Sequence, residues 1–127
     1  MTLQQMQEVM TKVFNECDAL RGAGQKEYAN SVDAFDNFNR LAAELKLDRK
    51  AILTVYARKH WDGIVSFING HKSQRESVTG RINDMIVYMC LLRGMIEEES
   101  DRDRNNPELK RARDMANSIP KRLLDDK

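Results

Sequence analysis

Apolar residues recur along this chain at steps of three and four, and no stretch shows the strict alternation of a half-buried strand. The pattern predicts an all-α chain: a bundle of four main helices and a short C-terminal helix. From Thr2 to Leu20, the residues Leu3, Met6, Met10, Val13, Cys17 and Leu20 make a 3-4-3-4-3 stripe that Val9 and Phe14 widen. Such a stripe suits a core face and equally a coiled-coil seam against a second copy. Arg21 to Lys26 (RGAGQK) reads as a loop. A second helix starts near Asn30 or Ser31, both good N-caps, and runs to Lys46, with Phe35, Phe38, Leu41, Ala42 and Leu45 inward.

Asp48 caps a third helix that extends to Asn69. Ile52, Leu53, Tyr56, His60, Ile64, Phe67 and Ile68 share one broad face of it. Asn69-Gly70 supplies the stop, glycine being suited to the left-handed conformation there. A fourth helix from Gln74 to Glu99 carries its core on Val78, Ile82, Met85, Ile86, Met89, Leu92 and Ile96, with Met95 pointing away. Glu97 to Asn106 reads as a charged linker. Pro107 opens the short fifth helix, Leu109, Ala112, Met115, Ala116 and Ile119 form its apolar face, and Pro120 stops it. The expected organisation is a helical bundle over 1–99, followed by linker, short helix and frayed tail over 100–127.

Charge narrows the classes of function. Lys plus Arg is 21 and Asp plus Glu is 20 in 127 residues, a formal net charge of +1. That is a poor footprint for coating DNA, RNA or an anionic membrane. Nucleic acid is therefore disfavoured as a partner, and no apolar run approaches a membrane span. A helix-turn-helix across Leu45–Asp48 ranks low too, because Arg49, Lys50, Arg58 and Lys59 do not fall on one stripe. Met1 to Met10 has no signal-peptide pattern. Cys17 and Cys90 form neither a CxxC pair nor a zinc spacing, and are expected as buried thiols in a reducing cytoplasm.

No serine elbow, phosphate loop or Cys/His signature is present. His60, on an apolar face, is expected to be a satisfied core histidine, and His71 a solvated loop residue. Carboxylates carry the candidate chemistry. Asp33, Asp36, Asn37, Arg40 and Glu44 line one face of the second helix, where an i, i+3, i+4 set of oxygens can hold Mg²⁺ or simply face solvent. On the fourth helix Glu76, Gly80, Asn83, Val87 and Gly94 occupy a face away from the core stripe, with Asp84 on its flank. Glycines aligned there point to close approach by a helix, a subunit or a ligand. Lys59 at the edge of the third helix suits either a phosphate–metal site or a salt bridge.

Tyr28-Ala29-Asn30 followed by Phe35-Asp36-Asn37-Phe38, then Lys59, Glu76-Ser77, Asp84 and Tyr88, resembles a pattern of small all-α proteins common in bacteriophage genomes. These are the nucleotide-modification-associated domains, distantly similar to MazG-like nucleoside triphosphate pyrophosphohydrolases. The resemblance spans Tyr28 to Glu98. It implies a helical, oligomeric protein of the host cytoplasm that handles a nucleotide, with carboxylates holding Mg²⁺. The family's EExxE element is missing, since Glu97-Glu98-Glu99 comes too late. Gly80 stands where the phage pattern has an acid, and Tyr28-Ala29 replaces Tyr-Gly.

Two functions are therefore in view. In the first, a nucleotide is sequestered, as an anti-defence protein would do, or is hydrolysed with Mg²⁺. Glu76, Asp84, Asp33 and Asn37 are then the metal residues. Lys59 takes phosphate, Tyr56 or Tyr88 stacks on the base, and Asn83 belongs to the nucleotide site. In the second, the chain is an interaction protein that docks on a host protein, with the stripe of the first helix and the mixed-charge tail as working surfaces.

Overall fold

The computed structural model describes residues 1–28 and 32–117, with backbone alone at 25–28. It contains five helices: α1 (Leu3–Tyr28), α2 (Asp36–Leu45), α3 (Arg49–Ile68), α4 (Val78–Asn105) and α5 (Pro107–Asn117), and no strand among the described residues. The all-α architecture of four main helices and a short fifth is that predicted. No helix is long and apolar enough to cross a membrane, among the described residues. The chain divides into two compact units, 1–93 and 94–127, so the boundary lies inside α4.

The first unit is built around α3. Asp48 accepts from the Lys50 backbone N–H at 2.8 Å and holds the Lys50 ammonium at 3.0 Å, closing the N-terminus of the helix. At the other end Gly70 takes φ +99°, the conformation that glycine there predicts. Ile52, Leu53, Ala57, His60 and Ile64 are buried along one face, and Leu53 completely so. Tyr56 and Ile68, expected inside, are exposed, because Ala57 takes the inward position between Leu53 and His60.

Against α3 lies α2, through an edge-on contact of Phe38 with Tyr56 at 6.0 Å. The buried Arg49 stacks over Phe35 at 5.1 Å and donates to Asn39 at 3.2 Å. That placement removes Arg49 from any nucleic-acid-facing set. Helix α2 begins at Asp36, and the expected start at Asn30 or Ser31 falls outside the described residues. Phe35 and Phe38 are inward as expected, whereas Leu45 is exposed where Lys46 ends the helix in a left-handed turn.

The glycine-bearing Arg21–Lys26 stretch is not a loop, because α1 continues through it to Tyr28. Gly22 and Gly24 cost the helix about 1 kcal/mol each relative to alanine, too little to stop it. Helix α1 is tied to α4 where the Cys17 thiol reaches the Asn83 carbonyl at 3.6 Å and the Asn83 amide donates to Glu16 at 2.8 Å. Upstream of that contact Leu3, Met6, Val9, Met10 and Phe14 are exposed.

Helix α4 starts at Val78, not Gln74, because the Ser77 hydroxyl accepts the Gly80 N–H at 3.0 Å and caps it there. Its rotation is also not the expected one. Asp84, Val87, Tyr88 and Leu91 turn towards α1 and α2, while Ile82 and Met89 of the anticipated core stripe are exposed. Cys90, on the same side, is exposed rather than buried, and Cys17 is buried.

In the second unit the charged stretch 97–105 is helical rather than a linker. Glu98–Arg102 at 2.8 Å and Asp101–Arg104 are acid-before-base pairs one turn apart that favour the helix. Met95, expected to point away from the core, is fully buried, and Ile96 is exposed instead. Asn106 caps α5 through Leu109 N–H at 3.2 Å, and Arg113 pairs with Asp103 at 2.5 Å. The face of α5 carrying Leu109 and Met115 is exposed, while Ile119 and Pro120 lie outside the described residues.

The α3 cap has a pH signature. Burial pushes the Asp48 carboxyl up, but the backbone N–H and ammonium of Lys50, with Arg49, outweigh it and hold it below its ordinary value. Its contribution is present at neutral pH and lost as pH falls through that lowered value. Asp48→Ala is expected to cost about 0.5–2 kcal/mol at pH 7, with the difference from the parent narrowing in strong acid. Urea denaturation at a series of pH values measures it.

Candidate functional site

The segment between α3 and α4 is held down by one side chain. The Gln74 amide donates to the Gly63 carbonyl at 2.8 Å and to the His71 carbonyl at 3.0 Å, and its oxygen accepts from Arg81 Nε at 3.1 Å. Arg81 lies where a β-carbon on Gly63 would stand, 2.5–2.6 Å from the guanidinium. Gly63 is therefore the notch in α3 that lets Arg81 of α4 cross it. This clamp sets the path of the chain just before Ser77 caps α4, and so places Glu76 over α3.

There Glu76 meets His60. Its Oε2 is 3.7 Å from His60 Nδ1, and Asp84 Oδ2, two turns into α4, is 3.4 Å from the same nitrogen. The imidazole is enclosed, its side chain only 9% exposed, and Tyr88 lies against it with ring centroids 5.8 Å apart. Nδ1 has no hydrogen-bond partner. His60 is thus buried as expected but is not the satisfied core histidine expected of an apolar face. One nitrogen and one oxygen from each carboxylate all lie within 4.8 Å of one another, the only such group among the described residues.

The electrostatics are uneven. Burial pushes the Asp84 carboxyl up, and the neighbouring Glu76 carboxylate pushes it further. His60, Lys59 and Arg81 pull it down without cancelling the rise. Arg81 Nη1 lies 3.9 Å from Glu76 Oε2 and faces that carboxylate with positive charge.

Asp84 also lines a cavity of about 180 Å³ between α1, α2 and α4. Phe38, Val87 and Leu91 supply apolar wall, and Arg21, Asn37 and Tyr88 supply polar groups. Asn37, Asp84 and Tyr88, three of the residues singled out from sequence, thus converge on one space, with Glu76 reaching Asp84 from outside it.

The others are elsewhere. Asp33 precedes α2, where it accepts from the Phe35 N–H at 2.9 Å and from Asn39 at 3.1 Å, so its oxygens order the entry to that helix. Tyr56 packs on Phe38, and Asn83 faces Glu16 of α1. Lys59 is exposed, close enough to Asp84 for its charge to be felt. Sequence reasoning missed His60 as a partner of Glu76 and Asp84, and missed Arg81 altogether. The signal for Arg81 was Gly63 within an otherwise unbroken helix.

Comparison of the chain with models of protein families, with curated proteins and with solved structures finds no match.

A raised carboxyl in the fold fixes the sign of a stability test. The folded state keeps the Asp84 proton to higher pH than the unfolded state does. The associated stability is therefore present below the ordinary carboxylate range and lost as pH rises through the folded value. In chelator-treated protein at pH 7, Asp84→Asn is expected to melt at or above the parent, the gap closing in acid. Thermal unfolding across pH checks this, and a lower melting temperature at pH 7 would mark Asp84 as a structural ion-pair partner instead.

Proposed function

We propose that this chain is a nucleotide-binding helical protein in which a divalent cation at His60, Glu76 and Asp84 meets the phosphates of the ligand. The observation that carries the reading is the sharing of Asp84 between the orphaned-histidine cluster and the cavity. Anionic phosphate does not approach two carboxylates without a cation between them, and a cation there leaves positions open for phosphate oxygen and water. At about 180 Å³ the cavity is smaller than the roughly 300–1,000 Å³ of whole-ligand pockets. It suits one ring system, with the rest of the ligand leading out past Asp84. Tyr88 is the ring that can lie against a base, and Asn37 offers both a donor and an acceptor to its edge. The phage-domain resemblance implies the same ligand class, with Mg²⁺ as the cation.

A thermal-shift series with nucleoside mono-, di- and triphosphates and cyclic nucleotides, with and without divalent cation, tests it. A ligand of the native state raises the melting temperature, by about 2.7 kcal/mol of added stability at a hundredfold excess over Kd. Asn37→Ala is expected to lose most of that shift while melting near the parent temperature when no ligand is present. Chromatography of the recovered ligand separates sequestration from hydrolysis. A flat response at millimolar nucleotide with cation present would overturn the reading.

One further observation bears on partners. On the outer side of α4 Ile82 and Met89 are exposed, Met85 and Ile86 are half-buried beside them, and the exposed Phe14 of α1 adjoins Ile86. Single exposed apolar residues are ordinary, whereas a continuous strip marks an interface. Its 3-4 spacing suits a helix, and we propose a second copy of this chain as the occupant. Phe14→Glu is expected to convert a dimer to a monomer in light scattering coupled to gel filtration. A parent that is monomeric at 100 μM (about a hundredfold above a micromolar Kd) would leave the strip to a host protein, the interaction-protein reading.

A further inference from the structure

The cluster at the end of α3 discriminates between cations. We propose that His60 Nδ1, Glu76 and Asp84 form a site for a first-row transition dication, Mn²⁺ or Zn²⁺ in kind, in preference to Mg²⁺. The inference rests on the reading of this cluster as a cation site and names the ion that it takes.

Geometry comes first. Donors bound to one ion at about 2.0–2.2 Å stand roughly 2.8–3.6 Å apart at octahedral or tetrahedral angles. His60 Nδ1 is 3.4 Å from Asp84 Oδ2 and 3.7 Å from Glu76 Oε2, and all three donors lie within 4.8 Å of one another, so a side-chain movement of Glu76 brings them onto one centre. Glu76 is free to make that movement, since its side chain is 48% exposed on the segment before α4. His60 is not, being enclosed and lying against Tyr88, so the nitrogen is the fixed point of the site.

The unpaired nitrogen comes next. A buried polar atom left without a partner costs about 1–3 kcal/mol. As a neutral acceptor, Nδ1 points a lone pair at two carboxylates, which is repulsive. As a donor, it makes no hydrogen bond to either oxygen. A dication satisfies the nitrogen and both oxygens together.

Donor chemistry then selects the ion. Mg²⁺ prefers an all-oxygen octahedron and sheds water reluctantly. Imidazole suits Zn²⁺, Cu²⁺, Fe²⁺ and Ni²⁺, carboxylate suits Mn²⁺ as it does Mg²⁺, and one imidazole with two carboxylates is a mixed nitrogen–oxygen set that favours first-row dications over Mg²⁺. Three protein ligands leave the remaining positions for water or a phosphate oxygen. The resemblance implies Mg²⁺ on carboxylates alone, and His60 is the reason this chain departs from it.

The test uses the full chain, stripped with chelator and free of nucleotide. Mn²⁺ is titrated and free Mn²⁺ followed by electron paramagnetic resonance, with Zn²⁺ and Mg²⁺ as competitors. One equivalent of Mn²⁺ is expected to bind, Zn²⁺ to displace it, and Mg²⁺ to compete at least about tenfold more weakly. Glu76→Gln, at a half-exposed side chain, is expected to melt near the parent temperature without metal and to weaken Mn²⁺ by about tenfold or more, as even the loss of an outer-shell partner does. His60→Gln is expected to erase the preference for Mn²⁺ over Mg²⁺, a change that a merely structural histidine would not produce.

Absence of stoichiometric Mn²⁺ binding, equal affinity for Mg²⁺, or an unchanged Glu76→Gln titration overturns the proposal. If His60→Gln fails to fold by circular dichroism, the parent and Glu76→Gln titrations decide alone. Metal binding with a flat nucleotide screen would keep this inference and remove the nucleotide reading. Nucleotide binding without metal would overturn this inference and the cation-bridged mode of binding, and would keep only the cavity as the nucleotide site.

Discussion

A buried imidazole nitrogen facing two carboxylates is the constraint on which the candidate site depends. His60 sits on the inward face of α3 because Leu53, Ala57 and Ile64 share that face and bury it. Glu76 and Asp84 come to it from a different part of the chain, and only because the α3–α4 segment is clamped by Gln74 and Arg81. Neither carboxylate completes a hydrogen bond to Nδ1. A fold that encloses a polar atom usually pairs it, and unpaired groups concentrate where a ligand is to be received. A cation at the proposed site would supply the partner that this nitrogen lacks.

That cluster organises the rest of the first unit. The rotation of α4 that aims Asp84 at His60 also turns Val87, Tyr88 and Leu91 towards α1 and α2, where they wall the cavity. The same rotation sends Ile82 and Met89 to the outside. Site and exposed strip are thus two consequences of one helix orientation. A protein that hid its apolar strip within its own fold would take Asp84 away from His60.

What the sequence made legible was what is local. Asp48 as a cap, Asn69-Gly70 as a stop and Pro107 as a start are decided by neighbours one turn away, and each is found where expected. Two of the differences in helix extent share a cause: neither glycine nor a run of charge breaks a helix here. Gly22 and Gly24 do not interrupt α1, and the run after Glu97 is ordered by acid–base pairs one turn apart. That pairing is itself written in the sequence and could have been read. The rotation of α4 could not be read. Its two faces were both visible, one apolar and one carrying Asn83, Asp84 and the glycines, but hydrophobicity does not say how far each is turned towards α1 and α2. His60 was legible as buried and illegible as unpaired, because whether a nitrogen finds a partner depends on a segment sixteen residues away (Glu76) and on a helix beyond it.

An anomalous-scattering map from crystals grown with Mn²⁺ tests the cation site at His60. A peak is expected within about 2.0–2.3 Å of His60 Nδ1 and of one oxygen each of Glu76 and Asp84. A map with no peak there, and His60 Nδ1 donating a plain hydrogen bond to Asp84, would contradict it and leave the three residues as a buried ion-pair cluster.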